Sequence, residues 1–397
     1  MIGTIFKRKL PSGRITWGYS IDLGKDATGK RIRPQKIGFE RKSDAETALR
    51  HKLNQKDAGT IVKPDPTAFA AFLDEWFREH ADRNCTPKTV ERYHELARYV
   101  LPHIGSTKLQ DLSSLNLERV FNKLKDCGGW NRRAKAPRPL SAKTVRHIAG
   151  LVNVALVTAV RWKLITTNPM NGVVLPKVVK RRGTALEAEQ LSMFQDLAQK
   201  HGLYELVMTG TATGCRRGEL LAAQWSDMDF TDRVLSISKS LEQTRGQLRV
   251  KSTKNEEPRE ISLPGSVISM LRDLRTRQAE CRRLFGADYR DDLNLIFCTP
   301  EGNYLKPDSI TAKVCLLARQ AGLKGVSLHT LRHSHGSQLL ANGVPLPVVS
   351  KRLGHSNVYT TANIYAHALS KDEAAVGDIW ENTVQRDIDA ERRRKKS

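Results

Sequence analysis

Residues 328–367 read LHTLRHSHGSQLLANGVPLPVVSKRLGHSNVYTTANIYAH, and they place histidine, arginine and tyrosine in helix-sized segments. Ser327 is a favourable N-cap residue, so a helix is predicted to begin directly after it. In that helix His329, Arg332 and His333 stand at i, i+3 and i+4, which places them on one face. The pattern predicts a polar helix face that forms part of a site.

A second helix and a turn follow in the same stretch. Pro345 and Pro347 favour a helix start, and the Leu353-Gly354-His355 sequence favours its end. Tyr365 follows ten positions after His355. We expect the first helix face, the turn and this tyrosine to share one cavity.

Such a cavity suits phosphate chemistry. Arginine presents a planar fork of donors to anionic oxygens, histidine transfers protons near neutral pH, and tyrosine can act as a nucleophile. Two other interpretations stay open for the motif alone. It could be an exposed polar helix face, or His329 and His333 could be half of a zinc site, although this stretch supplies no cysteine.

The composition points to a polyanionic partner. The chain has 397 residues, with 66 Lys plus Arg against 42 Asp plus Glu and a formal net charge of +24. This length predicts two or three domains, and the charge makes nucleic acid the default partner. We find no signal-peptide pattern and no apolar run of spanning length, so a cytoplasmic location is expected. Six scattered cysteines without a C-x-x-C pair indicate reduced, structural thiols.

Residues 1–62 are predicted to form a small basic module. Strict alternation over 15–23 predicts a half-buried strand, and a turn-rich segment leads to a second strand that ends near Phe39. Ser43 and Glu46 form a capping box for the helix that follows, giving a β-β-α unit. Its outer strand positions carry Arg31, Arg33 and Lys36. These charges favour DNA binding, with a merely solvated face as the alternative.

Residues 66–170 are predicted to form an all-helical module after a proline-containing linker. Apolar residues recur at helical spacing over 69–77, 117–124 and 145–156. Thr86 with Pro87, and Ser141, are predicted helix starts. The basic segment between Cys127 and Pro139, which contains Trp130, is predicted to be a loop along a phosphate backbone.

Residues 182–397 are predicted to form a third domain. Thr184 and Glu187 form a capping box, and a later helix begins near Arg216, with Glu219 placed to hold its guanidinium or to form an ordinary surface pair. Short β-like runs over 234–263 predict an antiparallel sheet with Lys251 and Lys254 on a hairpin. Helical spacing returns over 267–285, and a short strand is expected over 295–298.

These segments together resemble the tyrosine recombinases, or phage-type integrases. Residues 213–219 (TGCRRGE) resemble the family's first arginine box, 329–333 (HTLRH) its second, 353–356 (LGHS) its third and 364–367 (IYAH) its nucleophile segment. Order and separations agree too, over about residues 184–370. The two preceding modules resemble, more weakly, the arm-site and core-site DNA-binding modules of lambda-type integrases.

The resemblance implies a fold and a domain layout. The chain is expected to be multidomain and mainly α with small β-sheets. Residues 1–62 become a three-stranded β plus α arm-binding module, 66–170 an all-α SAM-like core-binding domain, and 182–397 an α+β catalytic domain with a C-terminal helix.

It also implies a catalytic set. Tyr365 attacks a DNA phosphodiester and leaves a 3′-phosphotyrosyl bond and a free 5′-hydroxyl; family spacing favours it over nearby Tyr359. Lys254 is the best match to the family's hairpin lysine, with Lys251 as the fallback. The implied roles are charge stabilisation by Arg216 and Arg332, proton acceptance by His329, leaving-group protonation by Lys254, and positioning by His355.

Finally, the resemblance implies partners. They are double-stranded DNA with core and arm attachment sites, a homotetramer on DNA that passes through a Holliday junction, a host DNA-bending protein and an excision factor. The family resemblance favours docking of the helix near Trp380 on a neighbouring protomer over packing on its own domain. No cofactor, metal or membrane is expected.

Three alternatives from other classes stay open. A type IB topoisomerase shares the chemistry but relaxes DNA as a monomer. A DNA-binding regulator without catalysis explains charge and domains without Tyr365. A metal-dependent nuclease needs an acidic cluster for Mg²⁺, which the sequence does not offer convincingly.

Overall fold

The computed structural model describes residues 3–10, 13–22, 24, 29, 31–57, 65–131, 135–179, 186, 188–252, 258–323, 325–369 and 380–395. The chain divides into two compact units, Met1–Val179 and Lys180–Ser397. The first unit contains both the sheet module and the helical module. The three domain ranges given above stay predictions.

The N-terminal module is a three-stranded antiparallel sheet with one helix. Its elements are β1 (Gly3–Lys9), β2 (Ile15–Ile21), β3 (Gln35–Phe39) and α1 (Lys42–Asp57), with strand order β1-β2-β3. Tyr19 and Ile21 of β2 pack against Leu49 of α1 in a small core. The β plus α fold is confirmed. The two-strand pattern missed β1, because that strand ends in charged residues and gains its register from β2.

Two details of this module differ from the sequence expectation. The helix begins at Lys42, so the predicted cap residue Ser43 lies inside its first turn, where its carbonyl accepts a hydrogen bond from the Thr47 hydroxyl at 2.9 Å. The basic residues are also partly neutralised, because Arg33 and Arg31 lie 3.2 and 3.9 Å from the carboxylate of Asp22.

The second module contains five helices among its described residues. They are α2 (Phe69–Trp76), α3 (Asp82–Asn84), α4 (Pro87–Ile104), α5 (Ser114–Cys127) and α6 (Ala142–Arg161), with a π-helical turn at Phe77–Ala81. The starts of α4, α5 and α6 are capped by Thr86, Ser113 and Ser141, whose hydroxyls accept backbone N–H groups three residues further on. Local capping chemistry therefore determines where these helices begin.

The helical core of this module is confirmed, but the loop predicted between Cys127 and Pro139 is wrong. The described residues of that segment include two short antiparallel strands, β4 (Gly129–Asn131) and β5 (Ala136–Arg138), in which Trp130 lies opposite Pro137. Each strand has only three residues, too few to show a period of two. Trp130 is 59% exposed, so it belongs to the surface.

Helix α6 also departs from the composition-based expectation. By length and composition alone it could cross a membrane, although no spanning run was expected. Half of its apolar window is buried, and its inner face, including Val145, Ile148 and Val152, packs in the core of the helical module. The core helix of a folded domain can have the same length and apolar composition as a membrane-spanning helix.

The second unit combines helices with two small sheets. Its helices are α7 (Ala188–Lys200), α8 (Tyr204–Thr213), α9 (Arg217–Ala222), α10 (Gly265–Phe285), α11 (Pro307–Gln320), α12 (Leu328–Ala341), α13 (Leu346–Leu353), α14 (Val358–Leu369) and α15 (Arg386–Arg394). Its strands are β6 (Met228–Asp229), β7 (Val234–Ile237), β8 (Lys239–Thr244), β9 (Gln247–Ser252) and β10 (Arg259–Ser262).

The strands of this unit form a β10-β7-β6 sheet and a separate β8-β9 hairpin, confirming antiparallel pairing over 234–263. The hairpin turns at Arg245 and Gly246, both with positive φ, as two-residue hairpin turns require. The strand expected over 295–298 is wrong: Leu295 and Cys298 form only isolated bridges. The capping box at Thr184 and Glu187 lies outside the described residues.

A buried and an exposed tryptophan of the first unit, Trp76 and Trp130, allow a matched test of stability. Trp76 is fully buried, and its indole N–H donates to the Thr158 hydroxyl at 3.1 Å. We expect Trp76→Ala to lower the free energy of unfolding of the helical module by about 3–5 kcal/mol, because it removes a core aromatic. Trp130→Ala should stay within about 0.5 kcal/mol. Urea denaturation followed by circular dichroism measures both, and equal losses would contradict this description of the core.

Candidate active site

Helix α12 carries the central polar face of the site. Ser327 caps its start, with its hydroxyl accepting the Thr330 N–H at 3.4 Å, as the sequence predicted. His329, Arg332 and His333 therefore follow one another along one face. The rings of His329 and His333 meet edge to face, with centroids 4.5 Å apart.

Arg332 is a buried cation with an incomplete set of hydrogen bonds. It is 2% exposed, and Nη1 donates to the Gly214 carbonyl at 2.9 Å. Its Nη2 is buried and has no hydrogen-bond partner among the described residues. Burial, and then the charge of Arg216, lower the pKa of Arg332 to about 10, so it stays protonated at neutral pH. A buried guanidinium with a donor left over favours an anionic oxygen as its partner.

Arg216 stands at the start of α9, where the sequence placed it. Its backbone N–H and Nη1 donate to the two carboxylate oxygens of Glu219, at 2.8 and 2.9 Å, and Nη2 donates to the Gly354 carbonyl at 2.7 Å. The proposed hold of Glu219 on this guanidinium is confirmed by that contact. Arg216 thereby connects the first arginine segment to the turn before His355.

Glu219 is shared with a second arginine that the sequence analysis did not include in the site. Arg259 of β10 donates Nη1 and Nη2 to Glu219 at 3.2 and 2.6 Å, and Nε to the Arg352 carbonyl at 3.0 Å. Burial alone raises the pKa of Glu219, but the bonds and charges of Arg259 and Arg216 outweigh it, so the pKa is lowered. The carboxylate is therefore ionised at neutral pH.

The turn after α13 places His355. Gly354 ends the helix at φ +67, and a side chain there would meet the Arg259 guanidinium at 2.8 Å, so glycine is required. His355 Nδ1 lies 2.8 Å from the Thr361 hydroxyl. Burial, with the charges of Arg332 and Arg216, lowers the pKa of His355 to about 4, which keeps the ring neutral.

Tyr365 of α14 lies inside the protein. It is 1% exposed, and its hydroxyl lies 3.3 Å from Nδ1 of His333. The ring packs against Gly336, where an added Cβ would approach it to 2.6 Å. Burial raises the pKa of Tyr365, and the charge of Arg332 opposes that rise. Tyr359, on the same helix, is 70% exposed.

The structure brings five of the six predicted side chains to one region through these contacts. Among them, His329 is the predicted proton acceptor; its partial burial and the charges of Arg332 and Arg216 lower its pKa. In the structure it is His333, to which no role was assigned, that contacts the tyrosine hydroxyl. The sequence could have indicated this role, because His333 follows Arg332 directly and lies on the same predicted helix face.

The predicted lysine is not tested by the structure. Lys254 lies outside the described residues. The fallback, Lys251 on β9, is half-exposed and lies 3.1 Å from the Glu242 carboxylate. Within the described part of the chain, no group of three or more His, Cys, Asp or Glu side chains is placed to hold a metal ion.

Arg352 is a further residue that sequence reasoning missed. Its Nε donates to His335 Nε2 at 3.0 Å, and its Nη2 donates to the carbonyls of Ala212 and Ser262 at 3.1 and 3.0 Å. Burial, and then the charge of Arg352, lower the pKa of His335 to about 4, so the ring can accept this bond. Arg352 thus connects α13 to α8, α12 and β10.

Three family profiles match consecutive parts of the chain. The phage integrase family matches residues 182–372, the N-terminal SAM-like domain of phage integrases matches 68–125, and an arm DNA-binding domain matches 6–56. The chain belongs to the phage integrase family. It is therefore a tyrosine recombinase, a member of a family of DNA breaking and rejoining enzymes.

Relatives of this integrase family align over nearly the whole chain. A XerC-like tyrosine recombinase of Caldanaerobacter subterraneus subsp. tengcongensis is 27% identical, over 91% of this chain and 95% of that protein. The ICEBs1 integrase of Bacillus subtilis is 24% identical, over 94% of this chain and 98% of that protein.

Solved integrase structures share the fold. The Tn1549 transposon integrase in complex with transposon right end DNA superposes with a TM-score of 0.65 at 18% identity, covering 80% of this chain and 100% of that one. A lambda integrase tetramer bound to a Holliday junction gives 0.55 at 18% identity, covering 91% and 94%. The mainly helical fold with small sheets is thus that of lambda-type integrases.

The buried carboxylate of this integrase site allows a direct stability test. Glu219→Ala should lower the free energy of unfolding of the second unit by about 3–5 kcal/mol, because it leaves Arg259 buried without its counter-charge. Glu242→Ala removes a carboxylate from the ion pair with the half-exposed Lys251 side chain and should cost about 1 kcal/mol. Urea denaturation compares the two, and a Glu219 loss no larger than that of Glu242 would show that the network is not stabilising.

Proposed function

We propose that the protein is a site-specific recombinase that integrates and excises a phage or another mobile element through a 3′-phosphotyrosyl intermediate and a Holliday junction. The observation that carries this proposal is the convergence of Arg216, Arg332, His355 and Tyr365 on one region, in which Arg332 and Tyr365 are buried and the other two are partly buried. That region has donors for an anion and a tyrosine beside histidine. The matching family, and relatives named as integrases, support the mobile-element role.

In the first step the Tyr365 oxygen attacks phosphorus, forming a P–O bond while the bond from phosphorus to the 5′-oxygen breaks. The tyrosine proton passes to histidine, for which His329 is our candidate and His333 is in contact with the hydroxyl. Lys254 protonates the departing 5′-oxygen. Because the ester retains the phosphodiester energy, a 5′-hydroxyl from another duplex can reverse the step without ATP.

Arginine supplies the electrostatic part of the mechanism. Negative charge builds on the non-bridging oxygens as phosphorus becomes five-coordinate, and preorganised donors stabilise it by about 3–4 kcal/mol each. Arg216 and Arg332 are held by protein carbonyls and by Glu219, so they need little reorganisation. His355 is neutral and serves to position the phosphate or the tyrosine.

The proposed reaction requires Tyr365 to leave its buried position. The Tyr365 hydroxyl is buried, so a phosphodiester reaches it only after α14 shifts. Tyr365 belongs to a small cluster with Leu340, Val349 and Leu353, separate from the main core of the unit. Few buried apolar contacts must therefore break for this movement.

We propose that residues 1–62 bind arm sites, that residues 66–170 bind core sites, and that residues 182–397 catalyse the reaction. The protein acts as a homotetramer on DNA, in the cytoplasm. A host DNA-bending protein and an excision factor are its accessory partners.

The C-terminal segment has two exposed apolar side chains. Trp380 and Ile388, eight positions apart, are 61% and 36% exposed. Helical spacing places them near one face. An apolar face of this kind supports docking of the C-terminal segment on a neighbouring protomer.

The nucleophile can be tested with two matched tyrosines. Tyr365→Phe should abolish the covalent adduct with a nicked duplex that carries the core site, because it removes the attacking oxygen while DNA binding stays intact. Tyr359→Phe, on the same helix but exposed, should form adduct normally. Denaturing gels measure the adduct and gel shifts measure binding; normal adduct from Tyr365→Phe would refute the assignment.

The general acid can be tested in a similar way. Lys254→Ala should slow cleavage by about 10²–10⁴-fold, as loss of a general acid does. A substrate with sulfur at the 5′-bridging position needs no protonation on departure and should recover most of that rate. Lys251→Ala is the matched control and should cleave normally. If the sulfur substrate fails to rescue Lys254→Ala but rescues Lys251→Ala, the role belongs to Lys251.

A further inference from the structure

Helix α10 carries an exposed basic stripe that the catalytic set does not use. Arg272, Arg275, Ala279 and Arg282 follow at intervals of three, four and three residues, which places them on one helix face. The acidic residues of the same helix fall at other positions of its circumference. None of the five candidate catalytic residues that the structure describes lines this surface.

The arginines of the stripe lie over aromatic rings. The Arg272 guanidinium lies 5.6 Å from the centre of the Phe230 ring, and Arg275 lies 5.6 Å from the Trp225 ring. The two rings stack with their centroids 6.2 Å apart. A guanidinium that rests on a ring is held in place but retains donors along its edge. The rings therefore restrict the positions of two guanidinium groups at the surface.

Two adjoining cavities, both open to solvent, lie on this face. Their volumes are about 380 and 530 Å³, and Arg275 and Ala279 line both. Trp225 and Gln278 line the first, whereas Phe230 and Arg272 line the second. Each cavity thus combines an aromatic wall with a fixed arginine, the residue types that dominate binding energy at protein interfaces.

The charges on this face distinguish between two kinds of anionic partner, a phosphate backbone and a peptide with separate carboxylates. Arg282 already pairs with a carboxylate of its own chain, that of Asp291, which also lines the first cavity. Arg272 and Arg275 have no carboxylate partner among the described residues. A continuous phosphate backbone along the stripe would approach Asp291, whereas a peptide can place an uncharged residue there. The surface therefore favours separate carboxylates over a polynucleotide.

We propose that this surface, formed by Arg272, Arg275, Trp225 and Phe230, binds an acidic segment of a partner protein. Carboxylates of the segment accept hydrogen bonds from Arg272 and Arg275, and its apolar side chains pack in the two cavities, against Trp225 in the first and Phe230 in the second. This binding site is independent of the proposed recombination chemistry, because it shares no residue with it.

The test uses the full-length protein and a fluorescein-labelled synthetic peptide that combines Glu and Leu at helical spacing. Fluorescence anisotropy should show saturable binding that weakens as salt is raised. Arg275→Ala and Arg272→Ala should each weaken it about tenfold, as the loss of one charge-assisted contact does. Arg283→Ala is the matched control, since Arg283 is exposed on the same helix but lines neither cavity, and it should bind normally.

Further measurements with altered peptides and with duplex DNA distinguish an acidic peptide from other ligands of this surface. Replacing Glu by Gln in the peptide should abolish binding, because it removes the carboxylates. Replacing Leu by Ser should also abolish binding, because it removes the apolar side chain. Duplex DNA should bind Arg275→Ala and Arg283→Ala equally well. No saturable binding by the unaltered protein, equal losses in Arg275→Ala and Arg283→Ala, or a DNA defect confined to Arg275→Ala would each overturn the proposal. Covalent adduct formation by Arg275→Ala tests the proposed function separately and should be unchanged.

Discussion

The carboxylate of Glu219 is the constraint on which the active region depends. It is 2% exposed, and an ionised carboxylate at that depth is tolerated only with charged partners. Arg216 and Arg259 supply them, at distances of 2.6–3.2 Å. Because Arg259 also donates to the Arg352 carbonyl near the end of α13, and Arg216 to the Gly354 carbonyl just after it, the one carboxylate connects both arginines to the turn that carries His355.

The same arrangement concentrates positive charge in a small volume. Burial, and then the charges of Arg332 and Arg216, lower the pKa of His329 and of His355, which favours the neutral form of both imidazoles. Neutral imidazole can accept a proton, which a cation could not. Burial keeps Tyr365 protonated over the same pH range. In the proposed mechanism, an incoming phosphate meets the guanidinium groups of Arg216 and Arg332 beside a neutral histidine and a protonated tyrosine.

Much of the fold can be predicted from contacts between residues that are close along the chain. Hydroxyl caps at Thr86, Ser141 and Ser327, and the glycine after Leu353, act within one helical turn, so a sequence reader can find them. The Arg216–Glu219 contact is likewise an i,i+3 relation. The resemblance to integrases supplied the rest of the catalytic set, including Tyr365, which no periodicity would have selected over Tyr359.

What the sequence did not reveal depends on residues distant along the chain. Arg259 lies forty positions after Glu219, and its pairing arises only when β10 is placed beside α9. Strand β1 and the β4-β5 hairpin take their form from partner strands, since their own side chains show no clear alternation. The contact between His333 and Tyr365 requires the packing of α14 against α12 at Gly336.

Net charge is also a poor guide to where a partner binds, because the basic residues of this chain occupy different environments. Arg31 and Arg33 are exposed and lie near the carboxylate of Asp22. Arg275, by contrast, lies over two aromatic rings beside cavities. A long basic side chain at an open surface gives up rotamer freedom when it binds, whereas an arginine already held on a ring gives up less. The first kind of residue suits steering toward a polyanion, and the second suits selective recognition, so an excess of +24 charges serves more than one kind of contact.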